Sequence, residues 1–365
     1  MIKFNEHLEN IEIYEAGKPI ELVVRDFGIN PANVIKMASN ENPFGMSPVV
    51  SQAIAENSWK GYLYPDDSMF QLKKDLAKKF NVNEKELIIG SGSDQVLEFI
   101  ARAKLNTSST VLMNKITFAM YGIYAKHSGA SIIKTNSLYH DLSQFLDLYR
   151  EHKPDVIYIC TPNNPTGEAI SQESLFNFLD QIDINTLIVI DGAYMEYAKY
   201  LNQSFAIEPK ELIEKYPNTI YLGTFSKAYG LGGMRVGYGI AKTEIIRPLL
   251  KVRPPFNIAT LSMLSAIEAL KDEDFVIKSI QANFIEMERY EKFLGEIGWS
   301  YIKSATNFIT ISLPDGYNST TISDKLLQVG IIVRNLKGYG LNAVRITIGK
   351  KEDNSRLFAT IRELL

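Results

Sequence analysis

Short apolar runs alternate with amphipathic stretches through the middle of the chain. Leu87-Ile-Ile89, Thr110–Met113, Ser131–Lys134, Val156-Ile-Tyr-Ile-Cys160, Leu187-Ile-Val-Ile190 and Ile220-Tyr-Leu222 are too short for helices. Most of them stop at a glycine, a proline or a polar residue, and they read as buried strands. Met69–Phe80, a stretch opening at about Asp94 with Val96, Leu97, Phe99 and Ile100, and Gln172–Gln181 carry helical spacing. Between Lys134 and Asp155 the chain reads as a polar stretch with no assigned element. Alternation of this kind from about Leu87 to Ile240 predicts a mostly parallel sheet covered by helices on both faces. Beyond Arg253-Pro-Pro-Phe-Asn257, expected to be a hinge, the order changes: helical patterns at Thr260–Ala269 and Val276–Ile297, then strands at Asn307–Ser312, Gly330–Asn335 and Ala343–Gly349, with a helix between the first two. The first forty residues show no regular pattern and are expected to be irregular, ending in the turn-rich Met37-Ala-Ser-Asn-Glu-Asn-Pro-Phe-Gly45. The chain is therefore expected to be α/β, with 1–40 an amino-terminal arm and part of a small domain, 41–255 a large domain, and 256–365 a smaller carboxyl-terminal α+β domain.

Composition narrows the class. Of 365 residues, 45% are apolar and 22% charged, as in an ordinary globular protein. The net charge of -3, from 39 basic and 42 acidic residues, and the absence of a basic run speak against nucleic acid. The amino terminus has scattered charges and no apolar core, so no secretory signal is expected, and no apolar run is long enough for a membrane. A lone Cys160 excludes an internal disulfide and fits a reducing compartment, and four scattered histidines form no metal-ligand cluster. A cytoplasmic protein without a metal is the expectation.

Candidate chemistry gathers where the strands end. Lys227 lies in a tight loop after a strand, among Gly230, Gly232, Gly233 and Gly237. An amine crowded there beside a fixed cation such as Arg235 loses its proton more readily and can form a Schiff base. Thr224 and Ser226 add hydroxyls that with Arg235 suit a phosphate. A second phosphate site is read at Gly90-Ser-Gly-Ser93, where a glycine turn feeds a helix amino terminus lined by Gly92, Ser93, Asp94 and Gln95. Phe118 follows another strand, where ligands of open parallel sheets gather. Asn164, held ahead of Pro165, is a positioned hydrogen-bond donor. Asp191 ends a buried strand, with Tyr194 three residues on, and a carboxylate there needs a cation or strong donors.

Taken together, these motifs resemble the fold-type I pyridoxal-phosphate aminotransferases across nearly the whole chain. That resemblance implies pyridoxal phosphate on a large domain spanning 41–255. Lys227 would be the Schiff-base lysine and proton shuttle, and Asp191 the partner of the ring nitrogen. Asn164 and Tyr194 would bind the ring oxygen and Phe118 would stack on the ring. Gly92, Ser93, Asp94, Thr224, Ser226 and Arg235 would hold the phosphate, with Tyr64 reaching it from the neighbouring subunit of a homodimer. Family members often have Asp-Glu-Ala-Tyr where this chain has Asp191-Gly-Ala-Tyr194, and Tyr at the position of Phe118. Within the class the chain is most similar to the histidinol-phosphate aminotransferases, through Tyr14 with Gly17-Lys-Pro-Ile20, Ser39-Asn-Glu-Asn-Pro43, Leu63-Tyr-Pro65, Thr224-Phe-Ser-Lys-Ala-Tyr-Gly-Leu231 and Val333-Arg334 paired with Val344-Arg-Ile-Thr347. The likeness implies transfer of an amino group from L-histidinol phosphate to 2-oxoglutarate, with Tyr14, Asn40, Arg334 and Arg345 at the substrate. Aromatic aminotransferases and phosphothreonine decarboxylases share the same cofactor residues. A noncatalytic pyridoxal-phosphate-binding regulator would normally carry an appended DNA-binding domain, and the forty residues before the large domain are too few for one and show no helix-turn-helix pattern.

Overall fold

A computed structural model describes residues 2–3, 5–9, 11 and 20–365. The segment expected to be irregular holds helix α1 (Ile20–Phe27) and strand β1 (Ile35–Met37). β1 is three residues long and is a strand because it pairs, parallel, with Ile331–Val333 almost three hundred residues away, so no local pattern announces it. Helices α2 (Pro48–Asn57) and α3 (Phe70–Phe80) follow, and then strands and helices alternate: β2 (Leu87–Gly90), α4 (Gly92–Lys104), β3 (Thr110–Met113), α5 (Ala119–His127), β4 (Ser131–Lys134), α6 (Leu142–His152), β5 (Val156–Cys160), α7 (Gln172–Leu179), β6 (Leu187–Asp191), α8 (Met195–Leu201), α9 (Pro209–Lys215), β7 (Thr219–Thr224) and β8 (Gly237–Ala241).

Within the stretch expected to be polar, α6 forms because Leu142, Phe145, Leu146 and Tyr149 recur on one helical face, with Asp141 accepting from the Ser143 N–H as its cap. α5 escaped the pattern because its apolar residues do not make one clean stripe and Gly122 interrupts it.

The seven strands from β2 to β8 form one sheet in the order β2-β8-β7-β6-β5-β3-β4. Only β8 runs against its neighbours, so the sheet is mostly parallel, as expected. Strand alternation divides its side chains between two cores. In β6, Ile188 and Ile190 join one core while Val189 joins the other. Val96, Phe99 and Ile100 of α4 cover the second face, and Leu175, Phe178 and Leu212 of α7 and α9 cover the first. Each such aliphatic side chain contributes about 1.5–3 kcal/mol when taken from water. The pairing brings the carboxyl ends of β5, β6 and β7 to one edge, beside the start of α4.

The chain continues through α10 (Thr243–Val252), α11 (Thr260–Ala269), α12 (Glu273–Ile297), β9 (Ser300–Ile302), β10 (Phe308–Ser312), α13 (Ser319–Gln328), β11 (Ile331–Asn335), β12 (Ala343–Thr347) and α14 (Lys351–Leu364). α11, beyond residue 256, packs on α2, and its Met263 and Ala266 belong to the core of the large sheet. α12 spans both units: Val276 and Ile280 join the large core, while Met287, Tyr290 and Leu294 join the core of a second, five-stranded sheet ordered β1-β11-β12-β10-β9. In β12 the period of two puts Val344 and Ile346 into that second core. Arg345 and Thr347 consequently point the other way, toward the large sheet.

Candidate active site

The edge where β5, β6 and β7 end is the place ligands occupy in open parallel sheets. There a cavity of about 130 Å³ is lined by Gly92, Ser93 and Asp94 from α4, Phe118 at the start of α5, Asn164 after β5, Asp191 at the end of β6, Tyr194 after it, and Thr224, Ser226, Lys227 and Arg235 around the glycine-rich loop. Tyr64 alone of the expected cofactor residues lies outside it. It is 84% exposed, its ring 5.0 Å from that of Phe256. Tyr14 lies outside the described residues.

Lys227 keeps part of its side chain open to the cavity, while its Nζ donates to the Ser39 carbonyl at 3.0 Å. Burial, then the Arg345 guanidinium, lower its pKa to about 7, with Glu41 opposing and Arg235 adding less. Arg235, a candidate for that cation in the sequence, ranks behind Arg345; its guanidinium is turned to donate to the Gly232 carbonyl at 3.2 Å and to Ser226 Oγ and the Ser91 carbonyl at 3.5 Å each.

That turn brings Arg235 to the amino terminus of α4. The helix starts from Gly92 at φ +78°, where a Cβ would fall 2.7 Å from Arg235 Nη2. Gly237 is as tightly placed, for a Cβ there would fall 2.0 Å from the Ser93 nitrogen. Thr224 Oγ1 donates to Ser226 Oγ at 3.0 Å beside the same guanidinium. Helix N–H groups, hydroxyls and a cation thus converge on an anion-sized spot. Asp94 does not join them through its carboxylate, which would repel an anion. One oxygen accepts from Tyr124 Oη at 3.0 Å, the other has no partner, and burial pushes the group's pKa up. Only its backbone N–H can serve an anion.

At the other end of the cavity Asp191, 3% exposed, accepts from Tyr121 Oη at 2.7 Å and from the Ala193 N–H at 3.1 Å. Burial pushes its pKa up against both bonds, and no ion pair joins it among the described residues. Tyr121, stacked on Tyr158 at 4.8 Å, joins the site without a sequence motif that announces it, and Cys160, expected only as a lone thiol, stands at the cavity wall. Tyr121 lies one helical turn after Phe118, and that spacing is the one signal available. Cys160 is the last residue of β5 and its thiol is pushed well up by burial, so it is inert packing.

Asn40 and Arg345 tie the two sheets together. Asn40 Nδ2 donates to Tyr194 Oη at 2.8 Å, and its backbone N–H to Thr347 Oγ1 at 2.9 Å. Arg345 donates to the Ala38 carbonyl at 2.7 Å and to Asn164 Oδ1, which leaves the Asn164 amide N–H groups to donate elsewhere. Arg334 stands directly opposite Arg345 in the antiparallel β11–β12 pair, so both guanidiniums share one face. Like charges opposite one another destabilise a sheet, which suits a site that receives an anion.

The family model for aminotransferase class I and II matches residues 32–361. The histidinol-phosphate aminotransferases of Sulfurimonas denitrificans and Sulfurovum sp. are 56% and 57% identical over 364 residues, covering each chain in full. The crystal structure of histidinol-phosphate aminotransferase from Sinorhizobium meliloti in complex with pyridoxal-5'-phosphate superposes with a TM-score of 0.90 at 24% identity, covering 100% of this chain and 99% of that one. L-threonine-O-3-phosphate decarboxylase from Porphyromonas gingivalis shares the fold at a TM-score of 0.77 and 19% identity, covering 91% of this chain and 99% of that one. The chain belongs to the class I and II aminotransferase family.

Proposed function

We propose that this aminotransferase binds pyridoxal 5'-phosphate and transfers the amino group of L-histidinol phosphate to 2-oxoglutarate, giving imidazole-acetol phosphate and L-glutamate. Identity above 50% along the full length of relatives with that activity carries the choice of substrate. Two features support the cofactor: a buried carboxylate, Asp191, that lacks a cationic partner among the described residues, and the α4 cradle closed by Gly92, Gly237 and Arg235.

When bound, pyridoxal phosphate supplies an aldehyde for the amino group and a conjugated ring that spreads the electron pair left when a carbon loses its proton. The α4 N–H groups, Thr224, Ser226 and Arg235 would hold the phosphate. Asp191, steadied by Tyr121 and Ala193, would keep the ring nitrogen protonated, and Tyr194 and the Asn164 amide would donate to the ring oxygen. With its pKa near 7, Lys227 Nζ is close to evenly divided between amine and ammonium at neutral pH. It can take the proton from the substrate carbon that bears nitrogen and return it to the neighbouring acceptor. Arg334 and Arg345 would grip the substrate anion with paired hydrogen bonds.

In this reading the enzyme is a cytoplasmic homodimer. Tyr64 of one subunit reaches the other's phosphate, and the exposed Trp59, Tyr62, Leu63, Phe70 and Phe256 supply the apolar contact. No helix among the described residues is long and apolar enough to cross a membrane. Steady-state turnover with histidinol phosphate, phenylalanine and phosphothreonine as donors tests the substrate. The highest kcat/KM is expected with histidinol phosphate, and a marked preference for phenylalanine, or release of carbon dioxide from phosphothreonine, would overturn the choice.

A further inference from the structure

A second cavity, of about 400 Å³, lies on the other face of the large sheet, behind the residues that hold Asp191. Asp191 points into the cofactor pocket, while the next residue, Gly192, faces the opposite way. A Cβ there would fall 2.4 Å from Tyr221 Oη, so Gly192 makes room for the Tyr221 ring. Tyr221, Tyr229 and Tyr238 are at most 3% exposed and line this cavity, and none of their hydroxyls has a hydrogen-bond partner among the described residues. Glu196 of α8 lines it too, its carboxylate bonded only to its own backbone N–H and pushed up by burial to about 7.

Three phenol hydroxyls without a protein partner among the described residues and the carboxylate of the partly buried Glu196 open onto this one cavity, where a ligand with hydrogen-bonding groups can meet them. Val276, Ile277 and Ile280 give the space an apolar wall, and its volume falls within the range of about 300–1,000 Å³ that small-molecule sites occupy. At the rim Lys79 pairs with Glu273 at 3.0 Å and Lys199 with Glu208 at 2.6 Å. Those charges cancel, which leaves the Glu196 carboxyl as the unpaired acidic group, about half ionised at pH 7 and drawn to the carboxylate form by a bound cation. A carboxylate with three phenol oxygens is rich in acceptors and set among aromatic rings, so it suits a donor-rich positive group and repels an anion. We propose that this cavity binds a small planar organic cation bearing several N–H donors on an apolar body, of the amidinium, guanidinium or imidazolium class.

Benzamidine is a suitable probe, because its amidinium is a poor nucleophile toward an aldehyde. Isothermal titration of the holoenzyme should show one saturable site per chain, and the cofactor's absorption spectrum should not change. Neutral benzamide should bind at least about tenfold more weakly, and Glu196→Gln should cost benzamidine a similar factor, the loss expected when a charge-assisted hydrogen bond becomes a neutral one. Ile277→Trp, at an exposed position on the cavity wall, should block binding with Glu196 intact and covers the case in which Glu196→Gln does not fold. Absence of saturable binding, equal affinity for benzamide, unchanged affinity in folded Glu196→Gln, or a benzamidine-induced change in the cofactor spectrum would each overturn the proposal.

Discussion

Replacing Arg334 and Arg345 one at a time should separate substrate recognition from the integrity of the site. Arg334 is half-buried and makes no hydrogen bond or ion pair among the described residues, so its guanidinium is available to a ligand. Arg345 is 8% exposed, donates to the Ala38 carbonyl and Asn164 Oδ1, and stands 5.2 Å over the Phe308 ring. Removing Arg334 therefore costs a charge-assisted hydrogen bond to substrate, about 1.5–3 kcal/mol, or roughly a ten- to hundredfold rise in KM for histidinol phosphate. Stability should not fall, since a like charge opposite Arg345 is removed, and cofactor affinity should stay where it is. Removing Arg345 costs the substrate as much, and also strands two buried acceptors at about 1–3 kcal/mol each, so it should lower the melting temperature and loosen the cofactor through Asn164. Kinetics with histidinol phosphate and with unphosphorylated histidinol, alongside thermal melts, read both effects. In Arg334→Ala only the phosphorylated donor should suffer. A folded Arg334→Ala enzyme with an unchanged KM for histidinol phosphate, or one equally impaired toward histidinol, would refute the assignment.

Lys227→Ala should abolish turnover while still holding cofactor, and near-normal transamination would end the central assignment. Because burial and Arg345 lower Lys227 to about 7, its amine is neutral above that pH and charged below it. Capture of added cofactor by the apoprotein should slow by roughly tenfold per pH unit below 7 and level off above it, and a flat profile would contradict a lowered lysine. Asp191→Asn should leave the fold intact and remove most activity, since a neutral amide cannot hold the ring nitrogen's proton; circular dichroism with a turnover assay checks both. Mixing Tyr64→Phe with Lys227→Ala subunits should restore one working site per heterodimer if Tyr64→Phe alone is impaired, whereas a fully active monomer would show that Tyr64 does not act across subunits.

What the sequence determined by itself is the set of strand-end motifs. Asn164, Asp191 and Lys227 each follow a short apolar run, bounded by turn residues, that reads as a buried strand, and parallel pairing then carries the ends of β5, β6 and β7 to one edge. The turn at Gly92 is similarly local, because a residue at φ +78° feeding a helix exposes N–H groups with no outside help. Tertiary structure alone decided what those groups meet. Arg345 reaches Asn164 across 181 residues and Tyr121 reaches Asp191 across 70, and neither partner leaves a trace in local periodicity. β1 exists only through its distant partner β11. The exchange of Arg235 for Arg345 as the stronger influence on Lys227, and the turning of the Asp94 carboxylate to Tyr124, have the same cause. Periodicity states which face a side chain takes, but the field and desolvation at a charged atom come from elements that reach it only when the two sheets close on one another.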